Sequence, residues 1–291
     1  MKNIICLVFL LWSSMVFAQK NNNSVLWKIS GNGLSEPSYL FGTIHAVPEE
    51  NFELSDSIRK CIDKSKCLIM EADLDMSLKE QLQIAKQMFL PNGMRISNYM
   101  DSDKFTLFFN YLRDSLHIKE DKLNKYCALK PIFLQSILLT EYIKKPKSYE
   151  MEIQKYAGKR KDFIALETFQ EQLNILDSIP YKQQLSIDSS SYKIDKEYYS
   201  MLDAYQAQNV SLLDSLLSND DDFKKSKNTL LNNRNNKWMP KLEESIRKKS
   251  TFIAVGCGHV IGEDGLIQQL SKKGYNLEPI YFTINKKRRT Q

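Results

Sequence analysis

Cysteine, histidine and long apolar runs are all scarce in this chain. Its five cysteines include no C-x-x-C pair, which argues against a zinc ribbon or a thioredoxin-type redox site. So few cysteines in a chain of this length also do not make a disulfide scaffold. Only three histidines are present, so any chemistry that needs an imidazole must use His45, His117 or His259.

The one pronounced apolar run lies at the N-terminus, after a positively charged start. Ile4–Trp12 is of signal-peptide length, and Val16 and Ala18 place small residues where signal peptidase requires them. We predict a cleaved signal peptide over 1–18, followed by a single domain over 19–291. No later segment approaches the roughly 20 apolar residues of a membrane helix. The expected protein is therefore exported, periplasmic or secreted, with no stable transmembrane anchor after cleavage.

The net charge of +6 does not by itself indicate a nucleic-acid partner. Four of the positive charges lie in the terminal run 286–289, and such a run is usually a solvated chain end. No nucleic-acid-binding module accompanies it. With 42% hydrophobic and 26% charged residues, the composition is that of an ordinary globular protein, and we expect no nucleic acid among its partners.

Short apolar runs typical of strands lie near both ends of the chain, and the middle is patterned as helix. The strand candidates are 25–29, 38–45, 67–73, 251–256 and 275–284, with one more, 161–167, inside the helical middle. A helix is expected from near Leu54, with Ser55 or Asp56 as its cap. The pattern predicts an α/β fold. Its mixed or mainly parallel central sheet comes from both ends of the chain, with a large helical insert or lid over about 77–248.

Two of the three histidines follow the same local pattern. His45 and His259 each end an apolar strand candidate, three residues after Gly42 and Gly256 respectively. In open α/β sheets, ligands bind outside the carboxyl ends of the strands, and glycine there allows a sharp turn or a close approach. We therefore predict that both imidazoles face one crevice.

Carboxylates end two further strand candidates, Glu71 in one and Glu167 in the other. A carboxylate in such a place is costly unless it is paired or bound to a cation. Two histidines with one or two carboxylates make a plausible ligand set for a divalent transition metal, with a position left for water. The second carboxylate would then accept the proton, and Arg234, on a helix-patterned stretch, would stabilise the oxyanion.

Each of these residues also has an ordinary structural interpretation. A histidine on an apolar strand is commonly a satisfied structural residue, and Glu71 is alternatively a capping or salt-bridged carboxylate. Glu167 and Glu171 are alternatively a pair that caps the following helix. Arg234 is alternatively a solvated helix residue. Cys257, between two glycines, is a candidate nucleophile, but a cysteine there is more often a small filler.

Taken in order, these segments resemble the TraB/GumN family, which includes bacterial pheromone-shutdown proteins and is similar to the animal Tiki proteases. The segments that carry the resemblance are 26–29, 39–45, 69–73, 166–168 with Glu171 and Gln172, 233–235, 255–259, and Gly262, Gly265, Leu266, Gly274 and Tyr275.

This resemblance implies an erythromycin-esterase/ChaN-like α/β fold. For the Tiki branch it also implies metal-dependent peptide hydrolysis with the two G-x-x-H histidines and a glutamate. Here these are His45, His259 and Glu71, with Glu167 and Arg234 as supporting pocket residues. The expected cofactor is a divalent ion such as manganese, cobalt or zinc.

Three functions are consistent with these residues. The leading hypothesis is a metal-dependent hydrolase, specifically a peptidase that acts on extracytoplasmic peptides or protein termini. The second is a non-catalytic protein that sequesters a peptide or a haem-like ligand in the same crevice. The third is an esterase that uses histidine as a base without metal. All three require histidine and carboxylate at strand ends, so the sequence leaves them open.

Overall fold

The computed structural model describes residues 23–143, 145–185, 194–219 and 221–284. The predicted signal peptide, 1–18, and the basic run 286–289 lie outside these ranges, and the predicted division of the chain at residue 19 stays a prediction. Among the helices within these ranges, none has the length and apolar character needed to cross a bilayer.

Within the described ranges the strands form two sheets. The strands are β1 (Leu26–Ser30), β2 (Ser38–Thr43), β3 (Val47–Pro48), β4 (Cys67–Met70), β5 (Pro146–Lys147), β6 (Asp162–Ala165), β7 (Thr251–Gly256) and β8 (Asn276–Pro279). The central sheet has the order β6-β4-β7-β2-β1-β8, and β3 pairs with β5 separately. Strands β6, β4, β7 and β2 pair in parallel, whereas β1 is antiparallel to both β2 and β8. The predicted α/β fold with a mixed, mostly parallel sheet is confirmed.

Helices fill most of the segment between β4 and β7, apart from β5 and β6. The helices are α1 (Asp56–Lys64), α2 (Leu78–Gln87), α3 (Ser102–Asn110), α4 (Glu120–Tyr126), α5 (Pro131–Ile143), α6 (Tyr149–Ala157), α7 (Phe169–Asp177), α8 (Tyr181–Gln184), α9 (Ile194–Gln206), α10 (Val210–Asn219), α11 (Asp221–Lys227), α12 (Asn233–Lys248), α13 (Cys257–Val260) and α14 (Leu266–Lys272). Of the two predicted caps for α1, Ser55 is the one used, because its hydroxyl accepts from the Ile58 amide.

Both ends of the chain contribute to the central sheet, as predicted. Strand β7, from the C-terminal part, inserts between β2 and β4 from the N-terminal part. All residues of β4 and β7 are buried, which explains why both read as continuous apolar runs rather than alternating ones. The interior is divided: one apolar cluster surrounds the sheet, and a second, with Phe108, Leu112 and Leu134, lies within the helical middle.

Several strands are shorter than their apolar runs. The last was predicted to reach Ile284 but ends at Pro279, and the Ile280 amide makes one further hydrogen bond to the Leu26 carbonyl of β1 at 2.8 Å. Likewise, β2 ends at Thr43, so that His45 lies in the bend that follows. Glu71 and Glu167 also lie just beyond their strands. The polar side chains are therefore held on the connecting loops rather than on the sheet itself.

Candidate functional site

The carboxyl ends of four parallel strands meet at one edge of the central sheet. Thr43 of β2 is level with Gly256 of β7, and Met70 of β4 is level with Ala165 of β6. The segments that leave this edge carry the predicted site residues: His45, Glu71 and Glu167 lie on loops, and His259 lies in the short helix α13. Helix α12 adds Arg234, and it follows a π-helical turn, Asn228–Asn232, of the kind often found at functional sites.

Arg234 joins the two predicted carboxylates. Its Nη2 lies 2.8 Å from Glu71 Oε2 and 2.9 Å from Glu167 Oε2, and its Nε lies 3.0 Å from Glu167 Oε2. The Arg234 side chain is only 12% exposed and that of Glu167 is 0% exposed. The alternative of a solvated helix residue is therefore wrong for Arg234, which is a buried cation between two carboxylates.

The remaining Arg234 nitrogen is also fully engaged. Nη1 donates to the Leu230 carbonyl at 3.0 Å and to His259 Nε2 at 3.0 Å. Since Nε donates to Glu167 and Nη2 donates to Glu71, each nitrogen of the guanidinium has at least one acceptor. The oxyanion role predicted for Arg234 would require one of these contacts to be exchanged for substrate.

His259 is held as a neutral hydrogen-bond acceptor. Because arginine only donates, Nε2 carries the lone pair and Nδ1 carries the hydrogen, which it donates to Asn235 Oδ1 at 2.7 Å. Burial lowers the pKa of His259 to about 3. Asn235 also donates to the His259 carbonyl, and the Trp238 ring packs on the imidazole at 4.3 Å between centroids. The Nε2 lone pair is therefore open to a metal only if Arg234 moves.

Glu71 reaches the end of β7. Its Oε1 accepts from the Gly256 amide at 2.7 Å and lies 3.8 Å from His259 Nε2. Burial alone would raise the pKa of Glu71, but His259, Arg234 and His45 outweigh it and lower that pKa. Because His259 is neutral at physiological pH, we assign the lowering mainly to Arg234.

Both motif glycines sit where a side chain would be crowded. A Cβ at Gly256 would lie 3.2 Å from Glu71 Oε1 and 3.5 Å from His45 Nε2. A Cβ at Gly42 would lie 3.1 Å from the Cα of Cys257. Glycine therefore allows a close approach at both positions, and at Gly256 it leaves room for His45 and Glu71 beside the same point of the backbone.

His45 differs from His259 in almost every respect. Its side chain is 76% exposed, and its Nδ1 lies 2.8 Å from Oε1 of Glu150, whose side chain is 12% exposed. The charge of Glu150 raises the pKa of His45 to about 9. Within the described part of the chain, no hydrogen-bond partner meets Nε2 of His45. Of the ring nitrogens of His45 and His259, Nε2 of His45 is therefore the one left without a hydrogen bond to a described residue.

Glu150 belongs to the site although sequence analysis missed it. It accepts from Thr43 Oγ1 and from Ser148 Oγ, both at 2.6 Å. Burial would raise the pKa of Glu150, but His45 and these hydroxyls outweigh it and lower that pKa to about 2. The carboxylate lies 105 residues from His45 along the chain, in the first turn of α6, and no local motif marks it.

The alternative interpretation of Glu167 and Glu171 as a capping pair is half right. Thr168 caps α7, and Glu171 completes a capping box with it and pairs with Lys237 at 2.7 Å. Glu167 instead turns to Arg234. The alternative interpretation of Glu71, as a salt-bridged carboxylate, agrees with its contact with Arg234. This contact is compatible with a structural role and with a catalytic one.

Cys257 has the surroundings of a structural residue. It packs against Gly42 at the junction of β2 and β7, and burial raises the pKa of its thiol to about 12. A nucleophilic cysteine needs a thiolate, which a raised pKa disfavours. The filler interpretation is therefore the one that this environment favours.

The donors converge without forming a ready-made metal cage. Among the residues that the structure describes, no group of three or more histidine, cysteine, aspartate and glutamate side chains is arranged to hold an ion. His45 Nε2 and Glu71 Oε1 both lie within 3.5 Å of the place that a Cβ on Gly256 would occupy, whereas His259 Nε2 is engaged by Arg234.

We predict that Arg234→Met destabilises the fold by about 3–5 kcal/mol, because it leaves two buried carboxylates without a cation. The matched change on the same helix, Arg247→Met, should cost no more than about 1 kcal/mol, because its partner Glu243 is 4.0 Å away at the surface. Urea unfolding of the mature chain measures both. Equal losses of unfolding free energy in the two variants would contradict the assignment of Arg234 as the cation that stabilises the two buried carboxylates.

The His45–Glu150 pair should make stability depend on pH. The raised pKa of His45 means that its contribution is complete below about pH 6.5 and is lost as pH rises through about 9. The lowered pKa of Glu150 means that its contribution is complete above about pH 4.5 and is lost as pH falls through about 2. The stability lost in Glu150→Gln should thus be larger at about pH 6 than at about pH 9.5, by a modest amount because solvent screens the exposed ring.

The control for this pH dependence is Glu152→Gln on the same helix, which pairs only at 3.8 Å with Lys147. Its unfolding free energy should show no comparable change over this range. A Glu150→Gln deficit that stays constant or widens at alkaline pH would contradict the ion pair.

Comparison with known proteins places the whole constellation in one family. A model of the TraB/PrgY/gumN family matches residues 25–279, a range that contains every site residue from His45 to His259. No curated protein and no solved structure matches the chain. The family match spans nearly the whole sequence, so this chain belongs to the TraB/PrgY/gumN family.

Proposed function

We propose that this chain is a metal-dependent hydrolase that cleaves peptide bonds at the sheet edge where His45 and Glu71 converge. The observation that carries the proposal is the open Nε2 of His45, which lies beside Glu71 Oε1 over Gly256. The similarity of the family to the Tiki proteases supports the peptide substrate, and the predicted export supports an extracytoplasmic one.

The residues at this edge fit a divalent cation. A metal-bound histidine commonly has its other ring nitrogen on a carboxylate, as His45 has on Glu150. The carboxylates of Glu71, Glu150 and Glu167 outnumber the cationic groups of Arg234 and His45, so the cluster has an excess of negative charge. Imidazole nitrogen with carboxylate oxygen suits zinc, manganese or cobalt.

His45 and Glu71 would hold the metal. When bound, a divalent ion supplies an activated water and polarises the carbonyl of the substrate. Glu150 orients His45 and keeps Nε2 directed outward. Glu167 is completely buried against Arg234, so Glu71 is the carboxylate able to reach the crevice. His259 would join the ligand set only if Arg234 released its Nε2.

The first test compares His45→Ala with His117→Asn in the mature chain. His117 is exposed and has a left-handed backbone that asparagine tolerates, so His117→Asn is a matched histidine control. After dialysis against manganese, cobalt or zinc, the wild type and His117→Asn should retain metal and cleave a peptide library. The metal affinity of His45→Ala should be at least about tenfold lower than that of the wild type, which is the smallest loss usually seen when a residue that supports a metal site is removed.

The outcome decides between the leading function and its rivals. Equal metal retention and equal cleavage by His45→Ala would reject the proposal. Recovery of intact peptide after long incubation with metal-loaded wild type would favour the sequestering protein instead. Metal retention is read by elemental analysis, which does not depend on catalysis.

A second candidate function is hydrolysis without metal, in which His45 itself acts as the general base. The observation that favours it is the engagement of His259 Nε2 by Arg234, which leaves fewer free donors than a metal site normally has. The His45–Glu150 pair has the geometry of a base held by a carboxylate.

This candidate makes its own prediction about pH and chelators. Activity should rise with pH towards about 9, since His45 accepts a proton only when it is neutral. In Glu150→Gln the rise should move to lower pH, because the charge that raises the pKa of His45 is gone. A chelator should have no effect. Loss of activity on chelation, restored by metal, would exclude the metal-free route.

A further inference from the structure

We propose that a groove beside the site binds an extended peptide segment whose carboxylate lies about four residues from the bond that is cut. The groove lies between α6 and the loop Asp73–Asp75, over β4 and β6, and has a volume of about 540 Å³. This inference rests on the proposed function, because it names the substrate class of the same site.

The groove begins where the site ends. Its loop, Asp73–Asp75, follows Glu71 closely in the chain, and Met151 on its other wall follows Glu150. Gln154 Nε2 donates to Asp73 Oδ1 at 3.0 Å and ties α6 to this loop. A peptide that leaves the crevice beside Glu71 and Glu150 therefore enters the groove directly.

The length of α6 sets the length of the segment. The helix begins beside the site and is followed by the short 3₁₀ turn Gly158–Arg160, which forms the far end of the groove. At about 1.5 Å per residue, α6 rises about 10 Å from Glu150 to Ala157, and at about 2 Å per residue the 3₁₀ turn adds about 4 Å to Lys159. An extended chain covers that distance in about four residues.

Charge at the far end selects an anion. Lys155 and Lys159 line the groove and are exposed, and neither has an ion-pair partner in the part of the chain that the structure describes. Lys161 differs, because its ammonium donates to the carbonyls of Asp63 and Ser65. Two uncommitted ammonium groups match an acidic side chain of the bound segment.

Part of the groove lining is apolar. Met151 is 64% exposed, and Leu74 and Phe163 line the same space half-buried. A methionine thioether adapts to different apolar shapes, so this part should accept several apolar side chains.

A second cavity, of about 790 Å³, lies near Leu54. None of the side chains of the site lines it, so its size alone does not indicate a substrate site.

The test measures peptide binding separately from cleavage. Two fluorescein-labelled hexapeptides with amidated ends serve as probes: AAFLDD, which carries acidic side chains, and AAFLNN, which carries their neutral amides. Binding is measured by anisotropy on the full mature chain carrying His45→Ala, which prevents turnover. The variant adds Lys155→Gln with Lys159→Gln, and the matched control adds Lys79→Gln with Lys86→Gln on the exposed face of α2.

Removal of the two groove lysines should raise the dissociation constant for AAFLDD about fivefold, since each exposed charge pair contributes up to about 1 kcal/mol. The control lysines should leave it unchanged, and AAFLNN should not distinguish the variants. The effect should shrink in high salt. Absent AAFLDD binding, equal effects of the two lysine pairs, or equal effects on the two peptides would overturn the proposal.

The proposed function and the groove can fail independently. If wild type cleaves neither peptide while AAFLDD binding depends on Lys155 and Lys159, the hydrolase is wrong and the groove stands. If wild type cleaves both peptides and the groove lysines leave KM and kcat unchanged, the groove is wrong and the hydrolase stands.

Discussion

The buried guanidinium of Arg234 between Glu71 and Glu167 is the interaction on which the rest of the site depends. Two carboxylates at neighbouring strand ends would repel each other and would be costly to desolvate without a cation between them. Arg234 comes from α12, in the helical part of the chain, and also contacts His259 after β7. One side chain therefore couples the helical layer to the three segments that follow β4, β6 and β7.

The two G-x-x-H histidines have the same local sequence and opposite chemical states. His259 is buried and neutral, with both ring nitrogens committed to Arg234 and Asn235. His45 is exposed and readily protonated, with one nitrogen on Glu150 and the other open. Their neighbours cause this difference, since burial disfavours the cation at one position and a carboxylate favours it at the other. Equivalent motifs thus support different roles.

Electrostatics also links the site to the groove beside it. The carboxylates of the cluster exceed its cations, which favours a bound cation at the sheet edge. Lys155 and Lys159 present uncommitted positive charge at the far end of α6. Helix α6 contributes to both features, because Glu150 lies in its first turn and Lys155 in its last. The helix therefore sets the distance between the negative charge of Glu150 at the site and the positive charge of Lys155 in the groove.

The sequence by itself determined the α/β sheet, its origin in both ends of the chain, and the gathering of His45, Glu71, Glu167 and His259 at one edge. This was possible because continuous apolar runs indicate buried strands, and parallel strands end on the same side. The recurrence of G-x-x-H added the expectation that both imidazoles share that edge.

Only the tertiary structure decided which partners these residues have. Glu150 reaches His45 across 105 residues, and Arg234 reaches Glu71 across 163 residues, contacts that no local pattern encodes. Several strands likewise end earlier than predicted, because a strand ends where its hydrogen bonds to the neighbouring strand end, and the apolar run continues beyond that point. Protonation and ligand availability depend on such distant neighbours, so the open histidine emerged only once the helices had packed on the sheet.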